Sequence, residues 1–391
     1  PRDTFQSPAE VDAPANRPET TPATTPVTTP VTTPDTTPAT TPAETACGPD
    51  ETSFVDASPL GPDELCEFFD AGAPMIGADY QRAYPLPDGR ILWLFQDAFV
   101  ATSHGPELVH NVGLLQDGAD FELLRSGSSE HPAPYLFADL TDRYDHWYWP
   151  LGGDVGLDGR LHVFVAELVE HGSRYLTSVE PIATWIVTID VDDLRVVDRR
   201  PAPDASADLY GWSVVSAGDY TYLYAFCYRQ FGFDPLAFAP DVLAHDLGCS
   251  GDVTVARLPR GDFTVCPEYW NGATWGDDPA AAVPVIPRDD RTVNPTQVAV
   301  YDGRFVAVTK EGDWWGNVIY LDVAPAPEGP WRTYWATLVQ AECDECNTYF
   351  ASIVPFGADD ESFVIALSCN VWGGHDLEHY NPTFMRVPAP A

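Results

Sequence analysis

The chain has 391 residues, and its 20 Lys and Arg against 59 Asp and Glu give a formal net charge of −39. A chain this acidic repels nucleic-acid phosphates and anionic lipid surfaces, which excludes nucleic acid as a partner and a lipid-docking role. Apolar residues at 45% and aromatics at 12% supply a large core, while no apolar run approaches the roughly 18 residues of a membrane span, so no membrane insertion is expected.

Residues 20–42 hold six copies of Thr-Thr-Pro. Proline at every fourth position fixes φ and removes amide donors, so neither helix nor sheet ladder forms there. Residues 1–46 therefore read as a disordered Thr/Pro-rich stalk, open to O-glycosylation, that reaches on the order of 70 Å at about 3.1 Å per residue over 20–42. Such a stalk, with eight cysteines behind it, points to a secreted, extracellular protein tethered to a cell surface through its N-terminus. Disulfides are expected, with 47–66 and 249–266 as the short-range pairings. Cys343-Asp-Glu-Cys346 is the only Cys-x-x-Cys and has no second pair to complete a zinc site.

From Cys47 to Ala391 the pattern is strand, turn, strand. The single helix expected is 62–69. Strand 78–86 leads through Pro87-Asp88-Gly89 to 91–95, and 151–157 through Asp158-Gly159 to 161–166. Next come 211–216, Ala217-Gly218 and 221–226, then 296–300, Tyr301-Asp302-Gly303 and 305–308, then 348–356, a turn from Gly357, and 363–367. Asp-Gly and related turns between apolar runs are hairpin signals. Five such units, at roughly 70 residues each, suit four strands plus loops. The expected fold is all-β, a five-bladed β-propeller, read as a monomer. Two β-sandwiches would give no reason for five similar hairpins. The last unit lacks a strand, and a segment at 52–57 is expected to supply it and close the ring.

A propeller gathers the starts of its innermost strands, and the ends of their partners, into one funnel. Asp79 starts the first such strand and Asp97 ends its partner. They form the candidate catalytic pair, because glycoside hydrolysis needs one protonated and one ionised carboxyl. Glu167 holds the matching place in the second unit. Candidate substrate contacts are Gln81, His110, Asn111, Asn294 and Gln297 for hydroxyls, Trp149, Tyr210 and Tyr349 for sugar faces, and Lys310 (the only lysine) with Glu311. Asp154, between glycines, reads as structural, and Trp147 to Trp149 as a stacking wall or as core between blades. No phosphate loop, Gly-x-Ser-x-Gly elbow or His-Glu-x-x-His helix occurs. The mechanism requires no cofactor, and Asp-rich loops leave room for a structural calcium.

The hairpin from Asp79 to Phe95-Gln96-Asp97-Ala98-Phe99 resembles the first blade of secreted actinobacterial propellers that include endo-D-arabinofuranosidases. There the motif reads Phe-Gly-Asp-Thr-Phe, so this chain departs at Gln96 and Ala98. The resemblance implies that Asp79 and Asp97 are the catalytic pair and that the substrate is an arabinofuranose-containing polysaccharide. The five units more loosely resemble arabinanase and fructosidase propellers, which place their acids in the first three blades. A non-catalytic glycan-binding or adhesion propeller on a stalk fits the same composition. A lyase would want a cleft lined by Arg or Lys, against the charge.

Overall fold

The computed structural model describes residues 51–56, 58, 60–71, 75–137, 146–173, 176–203, 209–226, 253–286, 296–310, 318–339, 346–371, 377 and 379–391. The predicted stalk lies outside them, as do Cys47 and Cys249, one member of each predicted short-range disulfide.

The fold is an all-β, five-bladed β-propeller. Blade one pairs Ile91–Thr102 with an innermost strand split into Met75–Ala78 and Arg82–Pro85, and continues outward through Gly105–Asp117 and Asp120–Leu124. Blade two runs outward as His146–Val155, Leu161–Ser173, Leu176–Ile189 and Val196–Pro201. Blade three starts at Leu209–Ala217 and Tyr220–Phe226, then Thr254–Pro259 and two short outer strands. Blade four is Gln297–Tyr301, Arg304–Lys310, Val318–Ala324 and Arg332–Leu338. Blade five has three strands, Cys346–Ile353, Ser362–Val371 and Thr383–Pro388. All five expected turn glycines, Gly89, Gly159, Gly218, Gly303 and Gly357, take positive φ, the conformation that a tight hairpin asks of a residue without Cβ.

Both faces of each blade are covered by the next, so the inner strands are apolar at odd and even positions alike. Five apolar clusters result, one per seam. Val298 and Val300 face blade three with Val215 and Tyr222, whereas Ala299 faces blade five with Ile353 and Ile365. The seam between blades five and one holds Trp93, Phe95, Phe356 and Phe384. The helix, Pro62–Asp70, lays Leu65 and Phe69 on this seam, with Glu64 accepting from the Gly61 amide at 3.0 Å. Ring closure rests on that packing.

The segment at 52–57 was expected as the missing fourth strand of blade five, and it is not one. Instead Ser53 N donates to Val300 O at 2.8 Å and Val55 N to Pro355 O at 2.7 Å, with one parallel bridge from Val55 to Phe356. The segment thus lies between the inner strands of blades four and five on the turn side, and the outer edge of Thr383–Pro388 has no strand beyond it among the described residues.

Four inner strands break register at one level: 79–81 in blade one, between Pro150 and Gly153, between Tyr210 and Ser213, and between Tyr349 and Ala351. The extra residues turn inward. Tyr80 (φ 48°) stacks on Phe350 (φ 22°) at 4.7 Å, and Trp212 meets their edges at 6.5 and 6.4 Å. These three rings form a plug across the channel. Gly211 (φ +94°) is required beside it, since a Cβ there would lie 2.3 Å from the Phe164 ring.

Candidate active site

On the funnel side of the plug the first hairpin brings two carboxyl groups together. Asp79 N donates to Asp97 O at 3.0 Å, and Gln96 N donates to Asp79 O at 3.2 Å, so the two chain segments stay paired where the inner strand is split. Asp97 N donates to Asp79 Oδ1 at 3.2 Å, and the Tyr349 hydroxyl donates to Asp79 Oδ2 at 2.7 Å. Tyr380 also hydrogen-bonds to Asp79. Only 5% of Asp79 is exposed. Burial, and then the negative charge of Asp97, push its pKa up to about 8 against the pull of these donors, so it carries a proton at neutral pH.

Asp97 has the opposite surroundings. Its side chain is 21% exposed, and its Oδ1 meets His110 Nδ1 at 2.5 Å and accepts from Trp149 Nε1 at 2.9 Å. His110 lies flat on Trp147 at 5.1 Å, which fixes the imidazole plane. Trp149 in turn packs parallel to Tyr80. Asp97 is thus held by blades one and two together.

Glu167 forms a second acidic position. His146 Nε2 lies 2.7 Å from Oε1, Tyr148 donates to Oε1 at 3.2 Å and Trp185 Nε1 to Oε2 at 2.7 Å. Its side chain is 13% exposed. Residues 146 and 148 share a face with Glu167, because Tyr148 is its cross-strand partner. Trp147 and Trp149 point to the other face, toward His110 and Asp97.

Several predicted substrate contacts lie elsewhere. Gln81 is fully buried, donating to Ser352 Oγ and accepting from Ser368 Oγ, so it ties blade one to blade five. Asn111 (1% exposed) donates to Tyr148 O and accepts from Leu136 N, fastening blade one to blade two. Tyr210 is buried against Tyr269 and takes a hydrogen bond from Thr254. Gln297 accepts from Ile353 N at 2.6 Å and lines the turn side of the channel. Lys310 is fully buried. Tyr349, also fully buried, holds Asp79 and presents no surface to a ligand. The inter-blade seam claims the amides of Gln81 and Asn111, the channel wall that of Gln297, Thr254 of the same blade the hydroxyl of Tyr210, and Asp79 that of Tyr349. Asn294 and Glu311 lie outside the described residues.

Sequence reasoning missed Tyr380, His146 and Trp185. Period-two counting from Glu167 would have found His146, but Tyr380 precedes the last strand with no pattern to mark it. Among the described residues, no group of three or more His, Cys, Asp or Glu side chains is placed to hold a metal ion, and no helix is long and apolar enough to cross a membrane.

Comparison with known proteins adds a family and a fold. Residues 63–388 match the family described as "Domain of unknown function (DUF5005)". No curated protein matches the chain. A Bacteroides ovatus protein described as a candidate hydrolase superposes with a TM-score of 0.66 at 15% identity, covering 83% of this chain and 88% of that one. A B. megaterium levansucrase mutant gives 0.46 at 13% identity, covering 87% of this chain and 90% of that one. An alpha-L-arabinofuranosidase from Lactobacillus brevis gives 0.46 at 12% identity, covering 80% and 90%.

Proposed function

The chain belongs to the DUF5005 family, and from that premise we propose that it is a glycoside hydrolase acting on an arabinofuranose-containing or related cell-wall or plant polysaccharide, secreted and held on its Thr/Pro-rich stalk. The observation that carries this reading is the pairing of two carboxyl groups in unlike surroundings, Asp79 buried beneath two tyrosines and Asp97 reaching the funnel. Asp79, dry and next to a negative charge, keeps its proton. Asp97 has a side chain 21% exposed and is bonded to His110 and Trp149.

Asp79 donates its proton to the glycosidic oxygen as the C–O bond breaks. Asp97 supplies the electron pair, either by attacking the anomeric carbon or by taking a proton from the water that does. Tyr349 and Tyr380 position Asp79, while His110 and Trp149 position Asp97. Glu167, in its cradle of His146, Tyr148 and Trp185, supports the same funnel from blade two. No cofactor enters this chemistry.

A glycan-binding propeller without catalysis is the second reading, and the 5% exposure of Asp79 favours it. Incubation with arabinan, fructan and xylan separates the two. Release of reducing sugar that falls by about three orders of magnitude or more in both Asp79→Asn and Asp97→Asn supports the hydrolase. Retention on a polysaccharide without cleavage, unchanged in both variants, supports the binder.

A further inference from the structure

On the turn side of the aromatic plug lies a channel cavity of about 260 Å³, lined by Arg82, Tyr84, Asp154, Ser213 and Gln297 among others. Arg82 projects into it from the second half of the split inner strand. The residue is 1% exposed, and its Nε, Nη1 and Nη2 have no hydrogen-bond partner among the described residues. Two rings flank the guanidinium, Trp212 at 5.1 Å and Phe350 at 4.8 Å.

The other polar groups of this wall are already engaged. Tyr84 donates to Leu151 O, Ser213 bonds both backbone groups of Val298, and Gln297 Oε1 serves Ile353 N. Asp154, also on the cavity wall, accepts from Val155 N and bonds Ser216, and the guanidinium acting on it is that of Arg260 rather than Arg82. Among the described residues, Arg82 therefore has no carboxylate as counter-ion. Burial lowers its pKa to about 10, which still leaves it charged at neutral pH. Cation–π contacts offset only part of the cost of drying a guanidinium, and water would satisfy its N–H groups without balancing its charge.

We infer that the cavity is an anion site in which Arg82 binds a small monovalent anion, of halide to acetate size, through the N–H edge of its guanidinium fork. The volume admits such an ion with accompanying water. Solvent reaches the cavity past Thr52 and Val55, which are exposed, and past Arg260, whose side chain is 51% exposed. The site is separate from the Asp79–Asp97 pair, being on the far side of the plug, and it does not depend on the hydrolase reading.

The test uses the whole chain in sodium bromide and in sodium gluconate at equal ionic strength, gluconate serving as the reference anion. Bromide is expected to raise the melting midpoint saturably by roughly 2 °C over gluconate. Crystals grown in bromide should show an anomalous peak against the Arg82 guanidinium. Sodium acetate, added as competitor, tells a carboxylate from a halide preference by erasing that peak or leaving it. Arg82→Met should abolish the bromide-specific shift. Should that variant fail to fold, the peak position in the unaltered protein decides. Equal melting in bromide, acetate and gluconate overturns the proposal, as does a bromide peak at Arg260 in the mouth with none at Arg82.

Discussion

On the funnel side of the Tyr80–Trp212–Phe350 plug, Asp79, Asp97 and Glu167 each meet N–H or O–H groups of Tyr, Trp or His. On the turn side, Arg82 meets ring faces and a cavity. Arg82 lies only three positions after Asp79, yet the charge that acts on Asp79 is that of Asp97. The rings fill the channel between the two, and the acid on one side stays protonated through burial and the charge of Asp97.

The largest effect expected from breaking this arrangement is on pH dependence. Asp79 titrates near its ordinary value of 3.8 when unfolded and near 8 when folded. Below about pH 4 both states hold the proton and stability is full. Between about 4 and 8 only the unfolded state releases it, so stability declines by on the order of 5 kcal/mol across that window. Urea unfolding at several pH values should show this decline, and Asp79→Asn should flatten it. A decline of the same size in the variant would assign it to other groups. Activity should likewise fall on the alkaline side as pH passes about 8, when the proton donor is lost.

Next in size is the plug itself. Gly211→Ala places a Cβ 2.3 Å from Phe164 in a left-handed backbone position, and should cost about 3 kcal/mol of stability by denaturant titration. A loss below about 1 kcal/mol would mean the bulge relaxes freely. Trp149→Phe keeps a ring beside Tyr80 but removes the N–H on Asp97. It should lower kcat by roughly 30-fold, equivalent to about 2 kcal/mol, with the melting temperature nearly unchanged. The smallest effect is expected at Asn111→Ala, which loses two seam hydrogen bonds. It should cost slightly more than about 1 kcal/mol of stability while activity per folded molecule stays constant. A specific loss of activity would return Asn111 to the funnel.

Reading the chain alone anticipated that Asp79 and Asp97 lie side by side, because hairpin pairing carries the start of one strand to the end of the next. It also anticipated the helix at 62–69, observed as Pro62–Asp70. It went astray at Gln81, Tyr210 and Tyr349, which lie at or beside the register breaks. The breaks insert one residue in blades two and five, two in blade three and none in blade one, where the inner strand is split, so no single strand rule carries past that level. Tyr349 consequently points to Asp79 rather than to a ligand, and Tyr80 and Phe350 point down the channel.

Hairpin and turn positions were determined by local chemistry: apolar runs pair, and a glycine that tolerates positive φ ends them, whatever surrounds the hairpin. Five repeats of that unit were enough to imply a ring. Which polar group faces funnel, seam or cavity was decided only when the blades met. A buried amide or hydroxyl takes its partner from the neighbouring blade, as Asn111 does from Tyr148 and Ser213 from Val298. Desolvation, which raises the pKa of Asp79 and strands Arg82, likewise exists only once five sheets exclude water from the same axis.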